Sequence, residues 1–365
     1  AIVHVVRKRT PSGTGALLPL LRGTGTFRPL NPASINPMSG FWVGKKVVVP
    51  GGAGFIGSHV VEWLDELGAE VVAVDDLSNG DWSRLGGTSK RIRKVEGDVN
   101  DDSLLDNIFP GADVVMNLAG VAPGLTLDEG RHQHLHDANV RIAGSVLQAV
   151  LRHRIPRLLV VSSSCVYPDD APVPTPEMDL TGNLPEAANL GYGLAKREIE
   201  QEAMRAAEEH PGIRIAIARP FNVYGARDAR SGRGAHVIPS LLGKILSDDP
   251  EVVVWGSGQQ TRSFIHAKDM ARALVLVTEH HAVADPVNIG DASEIPLGEL
   301  VELLMELCGS RKPICFDTSK PEGALRKGAD ISKLHGITGG FHAAVRFEDG
   351  LRELVETRLT KTAAC

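Results

Sequence analysis

Residues 46–75, KVVVPGGAGFIGSHVVEWLDELGAEVVAVD, decide the fold. A β-branched run leads into a glycine turn, SHVVEWLDELG then carries apolar residues at helical spacing, and EVVAVDD is a second apolar run ending in acid. The order is strand, glycine turn, helix, strand. Gly51, Gly54 and Gly57 recur at every third position. The first permits a tight turn, the second lets backbone approach a pyrophosphate, and the third packs helix on strand, so phosphates meet a helix N-terminus. Asp75 closes the second strand about 20 residues on, where a carboxylate accepts from both ribose hydroxyls and repels a 2′-phosphate. The implied cofactor is NAD rather than NADP.

Working outward, apolar runs at ADVVMNLAG, RLLVVSSS and IRIAIARP alternate with helical stretches at SLLDNIF, NVRIAGSVLQAVLRH and AKREIEQEAMRAAEEH. Strands apolar throughout, separated by helices, imply an α/β fold: a Rossmann-like, doubly wound parallel sheet covered on both faces. Gly97-Asp98-Val99 follows the third strand, placed either to hold an adenine edge or simply to end the strand. After Arg219 the regularity weakens into Gly-, Arg- and Pro-rich loops, with helices around SLLGKIL, MARALVLVTEH and LGELVELLMELCG and strands at EVVVW and PVNIG. Residues 42–219 are therefore read as a NAD-binding domain. Residues 220–358 are read mainly as a smaller C-terminal α/β substrate-binding domain, with segments free to return to the first.

The whole chain has 365 residues, 42% hydrophobic and 23% charged, within the globular range. A net charge of -6 lacks the basic excess that nucleic-acid binding demands. No stretch reaches the roughly 20 apolar residues of a membrane span. Cys165, Cys308, Cys315 and Cys365 form no CxxC pair and point to a reducing, cytoplasmic setting, with Cys308 and Cys315 read as a buried helix residue and a strand residue. Residues 1–41 read differently. No Asp or Glu occurs before Glu62, while Arg7, Lys8, Arg9, Arg22 and Arg28 stand among Gly, Pro, Ser and Thr. This segment is a disordered extension, a leader for organelle import, or sequence upstream of a start at Met38; the first and the last agree with a cytoplasmic protein better than import does.

Tyr192-Gly-Leu-Ala-Lys196 opens a helix and puts phenol and ammonium on one face, where the cation favours a phenolate base near neutral pH. It follows a hydroxyl cluster, Ser162-Ser163-Ser164, at the end of the fifth strand, where such folds bind ligands. Together these make a hydride-transfer site. His132, His134 and His136 alternate, and His132 and His136 would share a helix face, but Asp128 and Glu129 belong to a loop and no other ligand accompanies them. No metal is expected.

In that order and spacing, GGAGFIG, Asp75, NLAG, SSSCVYP, YGLAK, RPFNVYG and RSFIHAKD resemble the extended short-chain dehydrogenase/reductase superfamily of nucleotide-sugar epimerases and dehydratases, over about residues 42–355. SSCVYPDDAPVPTPEMDLTGNLPEAANLGYGLAK, GAHVIPSLL and DTSKPEGALRKGADISKL are similar to the branch of GDP-fucose synthase and GDP-mannose 3,5-epimerase. The resemblance implies that Phe55, Ile56, Val99, Leu118 and Ala119 join Gly51, Gly54, Gly57, Asp75, Asp98, Tyr192 and Lys196 at the dinucleotide. It implies that Ser163 binds the sugar hydroxyl being oxidised, with Ser164 beside it. It makes Cys165 and His236 the proton-exchange pair, with His236 as imidazolium lowering the Cys165 pKa, and it gives Asn222, Arg262 and His236 to the substrate, Arg262 pairing with the diphosphate. Pro50 departs from the usual Thr, Ala267-Lys268 from Val-Asp, and Asp75 from the NADPH-consuming synthases.

The expected activity is that of a NAD-dependent epimerase of nucleotide-diphosphate sugars, GDP-hexose favoured, oxidising C4 transiently and exchanging protons at C3 or C5, as a homodimer. The alternative enzymes are a plain 4-epimerase and a 4,6-dehydratase or reductase. A non-catalytic dinucleotide sensor is the remaining class, against which Ser163, Tyr192 and Lys196 stand together.

Overall fold

A computed structural model describes residues 40–87, 89–122, 132–228, 236–320 and 323–363. The acid-free segment before Gly40, together with Asp128, Glu129 and Cys365, lies outside the described residues.

Strand β1 (Lys46–Pro50) buries Val47, Val48 and Val49 completely, because helices cover both faces of the sheet. Each such valine contributes about 1.5–3 kcal/mol relative to exposure. Helix α1 (Phe55–Glu66) lays Val60, Val61 and Leu64 against the sheet, and β2 (Glu70–Asp75) pairs in parallel with β1 from Lys46 opposite Glu70 to Pro50 opposite Val74. β3 (Ile92–Glu96), α2 (Asp102–Ile108), β4 (Val114–Asn117), α3 (His132–Arg152), β5 (Arg157–Val161), α4 (Leu190–Glu209) and β6 (Arg214–Pro220) continue the alternation. Asp101 caps α2 by accepting from the Ser103 N–H.

Next come β7 (Val223–Tyr224), α5 (Val237–Leu246), β8 (Val252–Trp255), β9 (Thr261–Ser263), β10 (Ile265–His266), α6 (Ala267–His280) and β11 (Pro286–Ile289). β12 (Glu294–Pro296), α7 (Leu297–Cys308), β13 (Ile314–Asp317), β14 (Arg326–Lys327), α8 (Ser332–Thr338) and α9 (Phe347–Ala363) complete the described chain.

The main sheet is parallel, in the order β3-β2-β1-β4-β5-β6-β11. Its order reverses between β1 and β4, which opens a crevice at the carboxyl ends of these strands. A smaller lobe has a core of its own. It contains the β8–β13 pair and the β12–β9–β14 sheet, over a core that includes Ile238, Leu242, Val252, Leu300, Leu304 and Leu351. Two segments after residue 220 belong to the main layers rather than to this lobe. Helix α6 packs on α1, and β11 pairs with β6 from Pro286 opposite Ile217 to Ile289 opposite Pro220. The reason is burial: all four β11 residues are enclosed, as a strand in a two-sided sheet must be. No described helix is long and apolar enough to cross a membrane.

Candidate active site

At the tip of β1 the chain turns at Gly51, whose φ of +76° suits glycine. A Cβ there would lie 2.6 Å from the Leu118 carbonyl carbon and 2.7 Å from Ala119 N, so β4 comes as close to the turn as backbone allows. Gly54 N–H donates to Gly51 O, and a Cβ on Gly57 would lie 2.0 Å from that same oxygen. Gly54 is the N-cap of α1 and brings no side chain to its first turn. The opening N–H groups of that turn, at Phe55 and Ile56, could hold a phosphate.

Asp75 sits buried at the end of β2. One oxygen accepts from Ala53 N at 2.9 Å and the other from Leu77 N at 3.0 Å. Burial raises its pKa, and the two N–H donors oppose that rise. A carboxylate oxygen takes more than one hydrogen bond, so both retain capacity for ribose hydroxyls. Asp98 is exposed and accepts from the backbone and side chain of Asn100, the geometry of a strand-end turn, while Val99 is buried beside it. Turn, helix end and two-oxygen acceptor are the donors and acceptors a dinucleotide requires.

The chemistry gathers between β5 and α4. Lys196 is buried, donates to Val161 O at 2.8 Å and stands 5.4 Å from the centre of the Tyr192 ring. Burial lowers its pKa to about 8, so it remains a cation at neutral pH. Ser163 Oγ accepts from Cys165 N at 3.1 Å, and the buried Ser162 hydroxyl finds no hydrogen-bond partner among the described residues. Ser164 is buried in the same turn. Glycines flank Tyr192. A Cβ on Gly191 would lie 2.2 Å from His132 O, and one on Gly193 would lie 2.5 Å from Cys165 O, so α4 presses against both α3 and the end of β5.

Cys165 departs from the sequence expectation. Its thiol is buried, and burial pushes its pKa up to about 12 rather than down. The charges that act on it are Lys327, which lowers its pKa, and Glu186, which raises it. His236 pairs instead with the buried Asp228, Nδ1 to Oδ2 at 2.8 Å, and the Asp228 charge also reaches Arg84 on the loop after β2. Desolvation and a neighbouring carboxylate both oppose thiolate formation, and neither is visible in a motif.

Asn222 donates to Ser263 O at 2.9 Å and ties the end of β6 to β9. Arg262 donates to Thr261 O and Ala324 O, and its charge reaches Lys327. The histidines of α3 do not form a metal group. His132 accepts from Gly191 N at 3.3 Å, His136 lies between Asp137 and Glu198, and no cluster suited to a metal occurs among the described residues. Cys308 and Cys315 are both half-buried and free, at the end of α7 and on β13.

Motif reading missed two structural partners. Asn139, buried in α3, accepts from Val121 N and donates to Val121 O and Leu135 O, and so fixes the backbone beyond β4 next to Lys196. Arg219 meets Glu200 with two parallel hydrogen bonds of 2.8 and 2.6 Å and also donates to Tyr167, whose hydroxyl donates to Asn288. That buried network joins β6, α4, the β5 end and β11 beneath the cleft.

Residues 47–290 match the family model described as the NAD-dependent epimerase/dehydratase family. The chain is 31% identical to a dTDP-4-dehydro-6-deoxy-D-allose reductase of Streptomyces sp, over 81% of this chain and 91% of that protein. It is 31% identical to a probable GDP-L-fucose synthase 1 of Oryza sativa subsp. japonica, over 85% of this chain and 90% of that protein. Among solved structures, UDP-glucose 4-epimerase of Thermotoga maritima with UDP-glucose is similar with a TM-score of 0.76 and 26% identity, covering 87% of this chain and 99% of that one.

Proposed function

The chain belongs to the NAD-dependent epimerase/dehydratase family, and on that footing we propose that it is a nucleotide-sugar epimerase that oxidises C4 transiently and exchanges a proton at C3 or C5. The cofactor is NAD. The substrate class is a GDP-hexose, suggested by the likeness to a GDP-fucose synthase, and a homodimer in the cytoplasm goes with this reading. One observation carries it: a buried thiol, Cys165, stands in the turn after β5 two residues beyond Ser163, and a plain 4-epimerase has no use for a thiol there.

NAD, which the Gly51–Gly57 turn and Asp75 would hold, would supply the hydride acceptor for C4. Tyr192 takes the C4 hydroxyl proton, helped by the buried Lys196 cation, whose charge favours phenolate in a low-dielectric cleft. Ser163 donates a hydrogen bond to the same oxygen. The 4-ketone acidifies the hydrogens at C3 and C5, where Cys165 exchanges a proton from one face. His236, oriented by Asp228, serves the other face. Arg262 and Lys327 bring positive charge toward the diphosphate, and Asn222 holds the backbone between them and the sheet.

Product formed in heavy water tests the reading. Deuterium is expected at the inverted carbon, whereas hydride return at C4 introduces no solvent hydrogen. Cys165→Ser is expected to abolish that deuterium while NAD stays bound. A net ketoreductase is the second reading, favoured by the 31% identity to the Streptomyces reductase. Product free of solvent deuterium, formed with stoichiometric consumption of reduced dinucleotide, would establish it instead.

A further inference from the structure

Helix α4 carries Tyr192, Lys196 and Glu200 at four-residue steps, so the three share one face, and Lys196 and Glu200 are both buried. Glu200 meets Arg219 of β6 through two parallel hydrogen bonds, 2.8 Å from Nε to Oε1 and 2.6 Å from Nη2 to Oε2. The third arm of the guanidinium, Nη1, donates to the Tyr167 hydroxyl at 2.9 Å, and the guanidinium carbon lies 5.1 Å from the centre of the Tyr167 ring. Tyr167 ends the short turn that begins at Ser163 and contains Cys165, and its own hydroxyl donates to Asn288 of β11 at 2.6 Å. One buried guanidinium therefore holds both the helix of Tyr192 and the turn of Ser163.

We propose that Arg219 is a positioning residue of the hydride-transfer site, setting the separation between Tyr192 and Lys196 on α4 and Ser163 on the turn after β5. The inference rests on the oxidation at C4 described above. There Tyr192 and Ser163 must reach the same sugar oxygen, one from each element, and an error of about 1 Å in such a placement costs up to about a hundredfold in rate. Lys196 depends on the same separation, because its Nζ spans from α4 to Val161 O at the end of β5, 2.8 Å away. A planar guanidinium grips a carboxylate at two points and a phenol at a third, which an ammonium, as a point charge, does not. Arg197, the residue after Lys196, ties α4 to the turn a second time through Val166 O, 2.8 Å from its Nε. With that tie in place, releasing Arg219 should cost about tenfold rather than about a hundredfold.

Tyr167→Phe keeps the ring and its packing and removes the hydroxyl that Arg219 grips, so it releases the turn while the Arg219–Glu200 pair remains. In the full-length protein with NAD bound, hydride transfer from C4 of a GDP-hexose, followed in single turnovers by the absorbance of reduced nicotinamide, is expected to fall about tenfold at saturating sugar. The half-saturating sugar concentration and the retained NAD should change less than about twofold. Arg219→Lys should lose at least as much, and adding Tyr167→Phe to it should lower the rate no further, since both act through one guanidinium. If Arg219→Lys does not fold, Tyr167→Phe decides the matter. Wild-type transfer at saturating sugar in folded Tyr167→Phe, a loss confined to sugar or NAD binding, or additive losses in the double variant would each overturn the role of Arg219. A further readout needs no sugar: acylation of Lys196 by an amine-reactive reagent, followed by peptide mass against the partly exposed Lys268, should be about tenfold faster in Tyr167→Phe, because α4 holds Lys196 less firmly on Val161 O. Should wild type oxidise no GDP-hexose, the epimerase reading fails and this labelling decides: faster acylation in the variant upholds the role of Arg219, and equal acylation overturns it.

Discussion

The glycine turn and the thiol wall lie at the carboxyl ends of the same sheet and are built on opposite principles. The turn is defined by atoms that are absent: a Cβ at Gly51, Gly52, Gly54 or Gly57 would stand under 3.0 Å from another atom, mostly backbone. The wall is defined by charge: Glu186 and Lys327 are paired at 2.5 Å and both act on the buried Cys165, with Arg262 and Lys196 nearby. One region should break on added volume and the other on altered charge. The difference matches their tasks, since a phosphate needs a fixed backbone and a proton needs groups that exchange it.

The largest effect belongs to the turn. Gly57→Ala would set a methyl 2.0 Å from Gly51 O, which cannot yield without moving the β1–α1 connection. A loss of at least about 3 kcal/mol is expected, together with loss of retained dinucleotide. Urea unfolding and analysis of released cofactor measure both. An unchanged midpoint with NAD still bound would mean that the turn tolerates volume, and the contrast would fail.

On the wall, Lys327→Met keeps most of the volume and removes the charge. Burial pushes the Glu186 pKa up, but the Lys327 charge and the hydrogen bonds from Lys327 and Asn189 outweigh this and hold the carboxyl below its ordinary value. In wild type, this group's stabilising contribution is present above the unfolded carboxyl pKa and is lost as pH falls through the lower folded value. Without Lys327 the buried carboxylate has no cation, its folded pKa rises above the ordinary 4.5, and the penalty grows as pH rises above that value. The variant should be less stable by about 2 kcal/mol at pH 7, and the gap should narrow toward about pH 5. A gap independent of pH would assign the loss to packing.

The same contrast explains what the sequence made legible. β1, α1 and β2 announce themselves through local signals, namely apolar strands, helical spacing and glycines whose job follows from φ and contact distance. Tyr192 and Lys196 are legible because four residues make one helical turn. Glu186 and Lys327, 141 residues apart, meet only through tertiary folding, and either alone reads as a solvated charge. Asn139 inside a helix reads in the same way, although its amide grips the Val121 backbone. The return of β11 to the main sheet was hidden because PVNI is equally apolar in either layer. For Cys165 the family motif suggested a base. The burial that opposes thiolate is set by neighbours the motif does not contain.

The smallest effect tests whether the turn glycines are special by position or merely by residue type. Gly144 lies within α3, has no left-handed φ, and a Cβ there would meet nothing within 4 Å. Its lack of a side chain only enlarges the freedom of the unfolded chain and weakens the helix. Gly144→Ala should therefore stabilise the protein by about 0.5–1 kcal/mol, with no change in NAD retention. Urea unfolding beside Gly57→Ala makes the comparison direct, because both variants add one methyl to a glycine in a helix. Opposite signs would locate the constraint in the 2.0 Å approach to Gly51 O. Destabilisation by both would show that α3 is packed more tightly around residue 144 than its open surroundings allow, and volume would then cease to distinguish the turn.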